Sequence, residues 1–200
     1  RSLLHIATDW PGHFPNVGRT IAILAAAGAD VNAAFVPAAG RPQHRETPLH
    51  AAASSNDLAA IEALLAAGAD IEAAGAVFTG GTAMSDAVIF AQWDAARLLL
   101  ARGAQTTFTQ AAALGLLDRV RELFAAEGPG PESITAAFWH ACRVGQREAA
   151  AFLLEHGAEL NWVGWAHLTP LDAAQKNSHT ELAAWLLAQG AKSTRELAAC

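Results

Sequence analysis

A short glycine-centred signal returns along this chain and limits what it can fold into. Gly28–Asp30 is followed by the same residues at Gly68–Asp70, and weaker versions begin at Gly103, Gly157 and Gly190. Successive glycines lie 40, 35, 54 and 33 residues apart, and we interpret the 54-residue interval as containing one degenerate unit. A period in the low thirties is typical of repeat proteins, whose units stack and use an exposed surface for function. The sequence therefore predicts an array of about six units.

Composition narrows the class of function. The net charge of −6 argues against a general nucleic-acid binder, which normally carries a basic face. No apolar run reaches the roughly 18 residues that a membrane span needs, so we expect no membrane partner. Cys142 lies inside a helical pattern and Cys200 ends the chain, so we expect no structural disulfide and a reducing, cytoplasmic location.

One stretch shows the plan of a unit most clearly. Thr47 is a suitable N-cap, and Pro48 follows it at a helical first turn, where its missing N–H costs nothing. Asn56 and Asp57 interrupt the helical pattern, which restarts and runs to Gly68. Glycine suits the left-handed position just past a helix. The stretch therefore predicts a helix-turn-helix followed by a turn.

These residues resemble the ankyrin repeat. The resemblance is carried by Thr47-Pro48-Leu49-His50-Ala51-Ala52, the pair Leu64-Leu65 and Gly68-Ala69-Asp70-Ile71, and again by Thr169-Pro170-Leu171-Asp172-Ala173-Ala174, Leu186-Leu187 and Gly190-Ala191. It implies an all-α fold, an ankyrin-repeat α-solenoid of stacked helix-turn-helix units with short β-hairpin or loop fingers. We expect one domain over residues 1–200, with units at about 1–33, 45–73, 80–105, 106–128, 134–162 and 167–193. The fourth unit is the most degenerate, and the alanine richness is similar to that of bacterial ankyrin proteins.

Stacking predicts the core, because each unit alone exposes an apolar face that its neighbour covers. The side chains expected in it are, on the first helices, Leu4, Leu49, Met84, Phe108, Phe138 and Leu171, and, on the second, Ile21, Leu24, Ile61, Leu64, Leu65, Leu98, Leu99, Val120, Leu123, Phe152, Leu153, Leu186 and Leu187.

No catalytic or metal-binding motif emerges. The eight histidines show neither a helical His-x-x-x-His nor a Cys-x-x-Cys spacing. The resemblance implies instead that His5 and His50 form hydrogen bonds between adjacent loops. His140 and Cys142 are two residues apart on a helix and point in different directions. We therefore predict a protein that is not an enzyme and has no cofactor and no metal.

The first helix of each unit also predicts a binding face. Asp86, Gln110 and His140 align as the residue after the histidine position, and residues three or four further on share their face. In ankyrin-like arrays this face lines the concave groove. The partner-binding residues predicted there are Asp86, Ile89, Phe90, Gln110, Leu114, His140, Arg143 and Val144. The alternative, that Asp86, Gln110 and His140 only bond one another, stays open.

Aromatic residues in the connections between units predict a second part of the interface. Trp162 and Trp165 fall in a connection that resembles an ankyrin finger, and Phe35 and Phe78 lie in the two longer fingers. Exposed aromatic side chains are good interface anchors. Packing of one finger against the next is the alternative.

The sequence favours a non-catalytic protein-interaction module that binds an unidentified protein through the groove and the fingers, as a monomer. A small-molecule binder or unusual enzyme, using the polar groove at units three to five, is the alternative. A third interpretation is a purely structural segment of a longer chain, because the sequence begins at Arg1.

Overall fold

The computed structural model describes residues 1–35, 45–76 and 78–199, and it is built from pairs of short helices. We call the first helix of each pair inner and the second outer. The inner helices are α1 (Leu3–Thr8), α3 (Pro48–Ser54), α5 (Ala83–Ile89), α7 (Phe108–Ala113), α9 (Pro131–Val144) and α11 (Pro170–Lys176). The outer helices are α2 (Val17–Ala26), α4 (Leu58–Ala66), α6 (Trp93–Ala101), α8 (Leu117–Glu127), α10 (Arg147–Glu155) and α12 (Thr180–Ala188), and the short α13 (Thr194–Leu197) follows them. The chain divides into two compact units, Arg1–Gln105 and Thr106–Cys200.

Hydroxyl side chains begin most of the inner helices. Ser2, Thr47, Thr107 and Thr169 each occupy the N-cap, and the residue three positions later returns a hydrogen bond to the N-cap backbone. This reciprocal arrangement satisfies backbone N–H groups that have no partner within a helix. Short helices of six or seven residues can therefore begin at fixed positions.

Side chains on the inner helices link neighbouring repeats. The Nε2 atoms of His5 and His50 lie 3.0 and 3.2 Å from the carbonyl oxygens of Glu46 and Gly81, so the predicted role of these histidines is confirmed. Trp139 occupies the same position and donates from Nε1 to the carbonyl of Leu168 at 2.9 Å. These three repeats thus keep the contact while the side chain that makes it changes.

The predicted inner-helix core is confirmed. All six predicted inner-helix side chains are buried. Every outer helix also buries at least one of its predicted side chains, and the buried ones are Ile21, Ile61, Leu64, Leu99, Val120, Leu123, Leu153 and Leu186. Leu187 was wrongly assigned to the core, because it is 51% exposed whereas Leu186 is fully buried. Adjacent residues on a helix point about 100° apart, so only one of the two can face the inner helix.

The described parts of the fingers are turns rather than hairpins. Among the described residues, the β-type pairing is a single antiparallel bridge between Phe35 and Glu46. The tip of the first finger, residues 36–44, lies outside the described residues. Cys142 is buried, and Cys200 lies outside the described residues, so the absence of a disulfide stays a prediction. No described helix is both long and apolar enough to cross a bilayer.

The adjacent leucines of α12 test this packing directly. Leu186→Ala should lower the free energy of unfolding of the chain by about 2–5 kcal/mol, because it removes a fully buried side chain and leaves a cavity. Leu187→Ala is the matched control and should cost under about 1 kcal/mol. Urea denaturation followed by circular dichroism measures both, and equal losses would contradict the assignment of the two faces.

Candidate functional site

Two exposed phenylalanines meet in the first compact unit. Phe78 lies in the finger before α5 and is 66% exposed, and Phe90 caps the end of α5 and is 41% exposed. Their ring centroids are 5.7 Å apart. The finger therefore lies over α5, and the pair places a predicted finger residue beside a predicted groove residue. Ile89, next to Phe90, is partly buried.

Asp86 does not line an accessible face, contrary to expectation. Its side chain is fully buried in the first unit. Ala51, at the same position of the preceding repeat, is buried too, and α5 packs against α3. This position is enclosed because neighbouring inner helices pack closely, which the recurrence of alanine there could have indicated.

The predicted groove position of Gln110 was also wrong, because the alignment was shifted by one residue in the degenerate repeat. Its Oε1 accepts a hydrogen bond from the backbone N–H of Thr107 at 2.9 Å, and it lies at the third position of α7, where the other repeats carry His5 and His50. The buried Ala111 is the true counterpart of Asp86. The spacing of Thr107 and Gln110, typical of a capping box, was the signal that the alignment missed. Leu114 caps the end of α7 and is partly buried.

An aromatic cluster forms in the second compact unit, centred on Trp165. Its ring centroid lies 4.6 Å from that of His140, 5.1 Å from that of Trp139 and 5.3 Å from that of Trp162. Trp139 is buried and Trp162 is partly buried, whereas Trp165 is 49% exposed. The cluster thus joins the inner helix α9 to the finger that follows its repeat, and presents one tryptophan at the surface.

Backbone geometry holds the Trp165 finger in place. A 3₁₀ turn covers Trp165–His167, and the Gly164 N–H donates to the Leu168 carbonyl at 3.0 Å. A Cβ at Gly164 would collide with the ring of Trp162 and lie 2.9 Å from Nε1 of Trp139. The residue must therefore be glycine for the backbone to approach the two tryptophans so closely.

Burial and a nearby cation keep His140 neutral. Burial, followed by the charge of Arg143, lowers the pKa of His140 to about 4. Its Nδ1 is buried and has no hydrogen-bond partner within the described part of the chain. A protonated ring would have to bury a charge here, which is costly.

Arg143 lies one turn beyond His140 on the same face of α9. It is half-buried, and burial lowers the pKa of its guanidinium. The carbonyl of Arg143 lies 3.1 Å from Nε2 of His179, which follows α11. Val144, the last residue of α9, is partly buried.

Phe35, the remaining predicted finger residue, packs against its own unit. Its ring centroid lies 6.0 Å from that of His5, and the Arg1 guanidinium lies 5.0 Å from the Phe35 ring centroid. Phe35 is partly buried, and these contacts favour the packing alternative for this finger.

The buried cysteine and the described side chains of metal-binding type lack the features of a reactive site. Burial raises the pKa of the Cys142 thiol, whereas a nucleophilic cysteine needs a lowered one. Among residues 1–35, 45–76 and 78–199, no three side chains of the types that bind metals lie close enough to hold an ion. The site residues brought together are thus Phe78 with Phe90 in the first unit, and His140, Arg143, Trp162 and Trp165 in the second.

Comparison with known proteins identifies the family to which this chain belongs. A family model described as ankyrin repeats (3 copies) matches residues 4–110 and again 108–196. The chain therefore belongs to the ankyrin repeat family, whose members are generally protein–protein interaction modules and typically non-catalytic.

A solved structure agrees with that assignment. The human ASB11 ankyrin repeat domain is similar at 26% identity and a TM-score of 0.52, with 96% of this chain and 85% of that chain covered. No curated protein matches this chain.

The neutral state of His140 predicts a pH dependence of stability. The folded pKa of about 4 lies below the ordinary value of 6.5, so the unfolded chain binds the proton more readily between these two values. The free energy that a neutral His140 contributes to the stability of the fold is therefore complete above about pH 6.5 and is lost as the pH falls towards about 4. The loss has an upper limit of about 3 kcal/mol.

His140→Phe keeps a ring in the cluster and removes this titration. We expect its free energy of unfolding to fall less than that of wild type between about pH 7 and about pH 4.5, in urea denaturation at each pH. Carboxylates common to both proteins cancel in the difference. Parallel curves for the two proteins would contradict the assignment.

Proposed function

We propose that this chain is a non-catalytic module that binds a protein partner through its fingers and the ends of its inner helices. The observation that carries the proposal is the exposure of aromatic side chains at these places. Phe78, Phe90 and Trp165 each combine a large exposed ring with an aromatic neighbour that holds it in position.

The free energy gained by burying these exposed rings supports a role for them in binding. Burying a whole phenylalanine side chain contributes about 1.5–3 kcal/mol, so the exposed parts of Phe78 and Phe90 offer a partner roughly 1–2 and roughly 0.6–1.2 kcal/mol respectively. Tryptophan is enriched among the residues that dominate interface energies. Rings already held by neighbours also lose less side-chain entropy on binding.

The groove predicted from the sequence takes residues from both compact units, and its continuity stays a prediction. Asp86 and Gln110 are buried, so two of the four polar groups of the small-molecule alternative are withdrawn from the surface. The interaction module is thus the better supported of the two. The monomeric state, the cytoplasmic location and the bacterial type stay predictions.

Cross-linking of partners in a cell lysate tests the proposal with a matched control. We expect the double variant Phe90→Ala/Trp165→Ala to lose at least one specific partner by about tenfold or more, because alanine removes both exposed anchors. Leu187→Ala removes an exposed apolar side chain from an outer helix and should leave the partners unchanged.

The amounts of each cross-linked protein are measured by quantitative mass spectrometry. Circular dichroism spectra like that of wild type would show that the variants are folded. Identical partner lists for wild type and the double variant would remove the proposed surface.

A further inference from the structure

We propose that the second compact unit recognises a peptide segment with a carboxylate close to an aromatic or aliphatic side chain. This inference rests on the proposed function and names the chemistry of the partner at the Trp165 surface. We define that surface by Trp165, His140, Arg143 and Lys176.

The first observation is a cation on the same helix face as the His140 ring of the aromatic cluster. Arg143 is half-buried on the same face of α9 as His140, whose ring contacts Trp165. Within the described part of the chain, Arg143 forms no ion pair and its side chain has no hydrogen-bond partner. A guanidinium partly withdrawn from water gains more from a carboxylate than an exposed one does.

The second observation is that a second cation lies at the corresponding end of the next inner helix. Lys176 occupies the last turn of α11, is exposed, and forms no ion pair within the described residues. The contact of His179 with the Arg143 carbonyl brings the ends of α9 and α11 together. The two cations thus belong to one edge of the second unit.

The third observation is that the carboxylates of the second unit form no ion pair with Arg143 or Lys176 within the described residues, although Asp172 lies four residues before Lys176 on α11. They are placed on outer helices (Asp118, Glu122, Glu127, Glu148, Glu155 and Glu181), at the first turn of α9 (Glu132), in a connection (Glu159), at the start of α11 (Asp172) and on α13 (Glu196). Asp172 accepts hydrogen bonds from Thr169 and Thr194, and Asp118 and Glu122 pair with arginines of α8 itself. An acidic chain therefore carries a basic edge, which selects an acidic partner by charge complementarity.

The geometry sets the spacing within the partner. His140 and Arg143 are three residues apart on one helix, which is a rise of roughly 4.5 Å. The His140 ring lies 4.6 Å from that of Trp165 and so links the two ends of this surface. The proposed segment presents its carboxylate and its apolar group from residues within about two positions of each other, a span of roughly 6.6 Å at about 3.3 Å per residue. The ends of helices α9 and α11 also favour cations through the helix dipole, but that effect requires no partner.

Display of random twelve-residue peptides on phage tests the inference with a defined probe. We expect selection against the wild-type chain to enrich peptides with Asp or Glu within two positions of an aromatic or aliphatic residue. Arg143→Glu should lower the affinity of the chain for the enriched synthetic peptides by tenfold or more, as measured by fluorescence anisotropy. Arg143→Lys should retain most of the affinity, and Lys176→Glu should reduce it about threefold.

Arg147→Glu is the charge-matched control, since Arg147 is exposed at the start of the outer helix α10. It should leave the affinity unchanged, and circular dichroism should show all variants folded. If Arg143→Glu does not fold, the exposed Lys176→Glu provides the comparison.

Several results would overturn the inference. These are enrichment of neutral or basic peptides, acidic peptides that bind Arg143→Glu as tightly as wild type, or no enrichment. Peptides that lose affinity with Phe90→Ala but not with Arg143→Glu would overturn this inference while supporting the proposed function. Cross-linking with the Phe90→Ala/Trp165→Ala variant tests the proposed function separately.

Discussion

The fold of each compact unit depends on close packing between its neighbouring inner helices. Small residues such as Ala51 and Ala173 allow these helices to approach, while Leu49 and Leu171 are buried in the core. This packing buries Ala51 and Asp86 in the first unit and Ala111 and Ala173 in the second. The exposed aromatic side chains of the proposed binding surface lie instead at the end of α5 and on the fingers. On the inner helices, the packing that stabilises the fold therefore also limits which side chains a partner can reach.

Different repeats of this chain form the same contact with different side chains. His50 and Trp139 both reach a backbone carbonyl before the next inner helix, although one is an imidazole and the other an indole. The exchange has a consequence in the second unit. The larger indole forms part of the base on which Trp165 packs, so a structural position also supports the exposed ring. The divergence of one repeat from the common pattern thus coincides with its candidate binding surface.

Prediction from the sequence failed most clearly at Gln110 and Leu187. The fourth repeat lacks the Thr-Pro-Leu-His pattern, so alignment by similarity placed Gln110 one position too far along the repeat, although its capping partner Thr107 marks the helix start. Leu186 and Leu187 are equally apolar, yet only Leu186 is buried. In both cases the residue type was informative, but a one-residue difference in register changes the direction of a helical side chain by about 100°.

The sequence by itself determined the repeat, the all-α class, the inner-helix core and the linking roles of His5 and His50, because these depend on local patterns that recur at a fixed period. Only the tertiary structure decided which predicted site residues are accessible. The pairing of Phe78 with Phe90 and the gathering of His140 and Trp165 depend on how a finger folds over an inner helix. That fold-back joins residues between 12 and 25 positions apart, at distances with no periodicity in the chain.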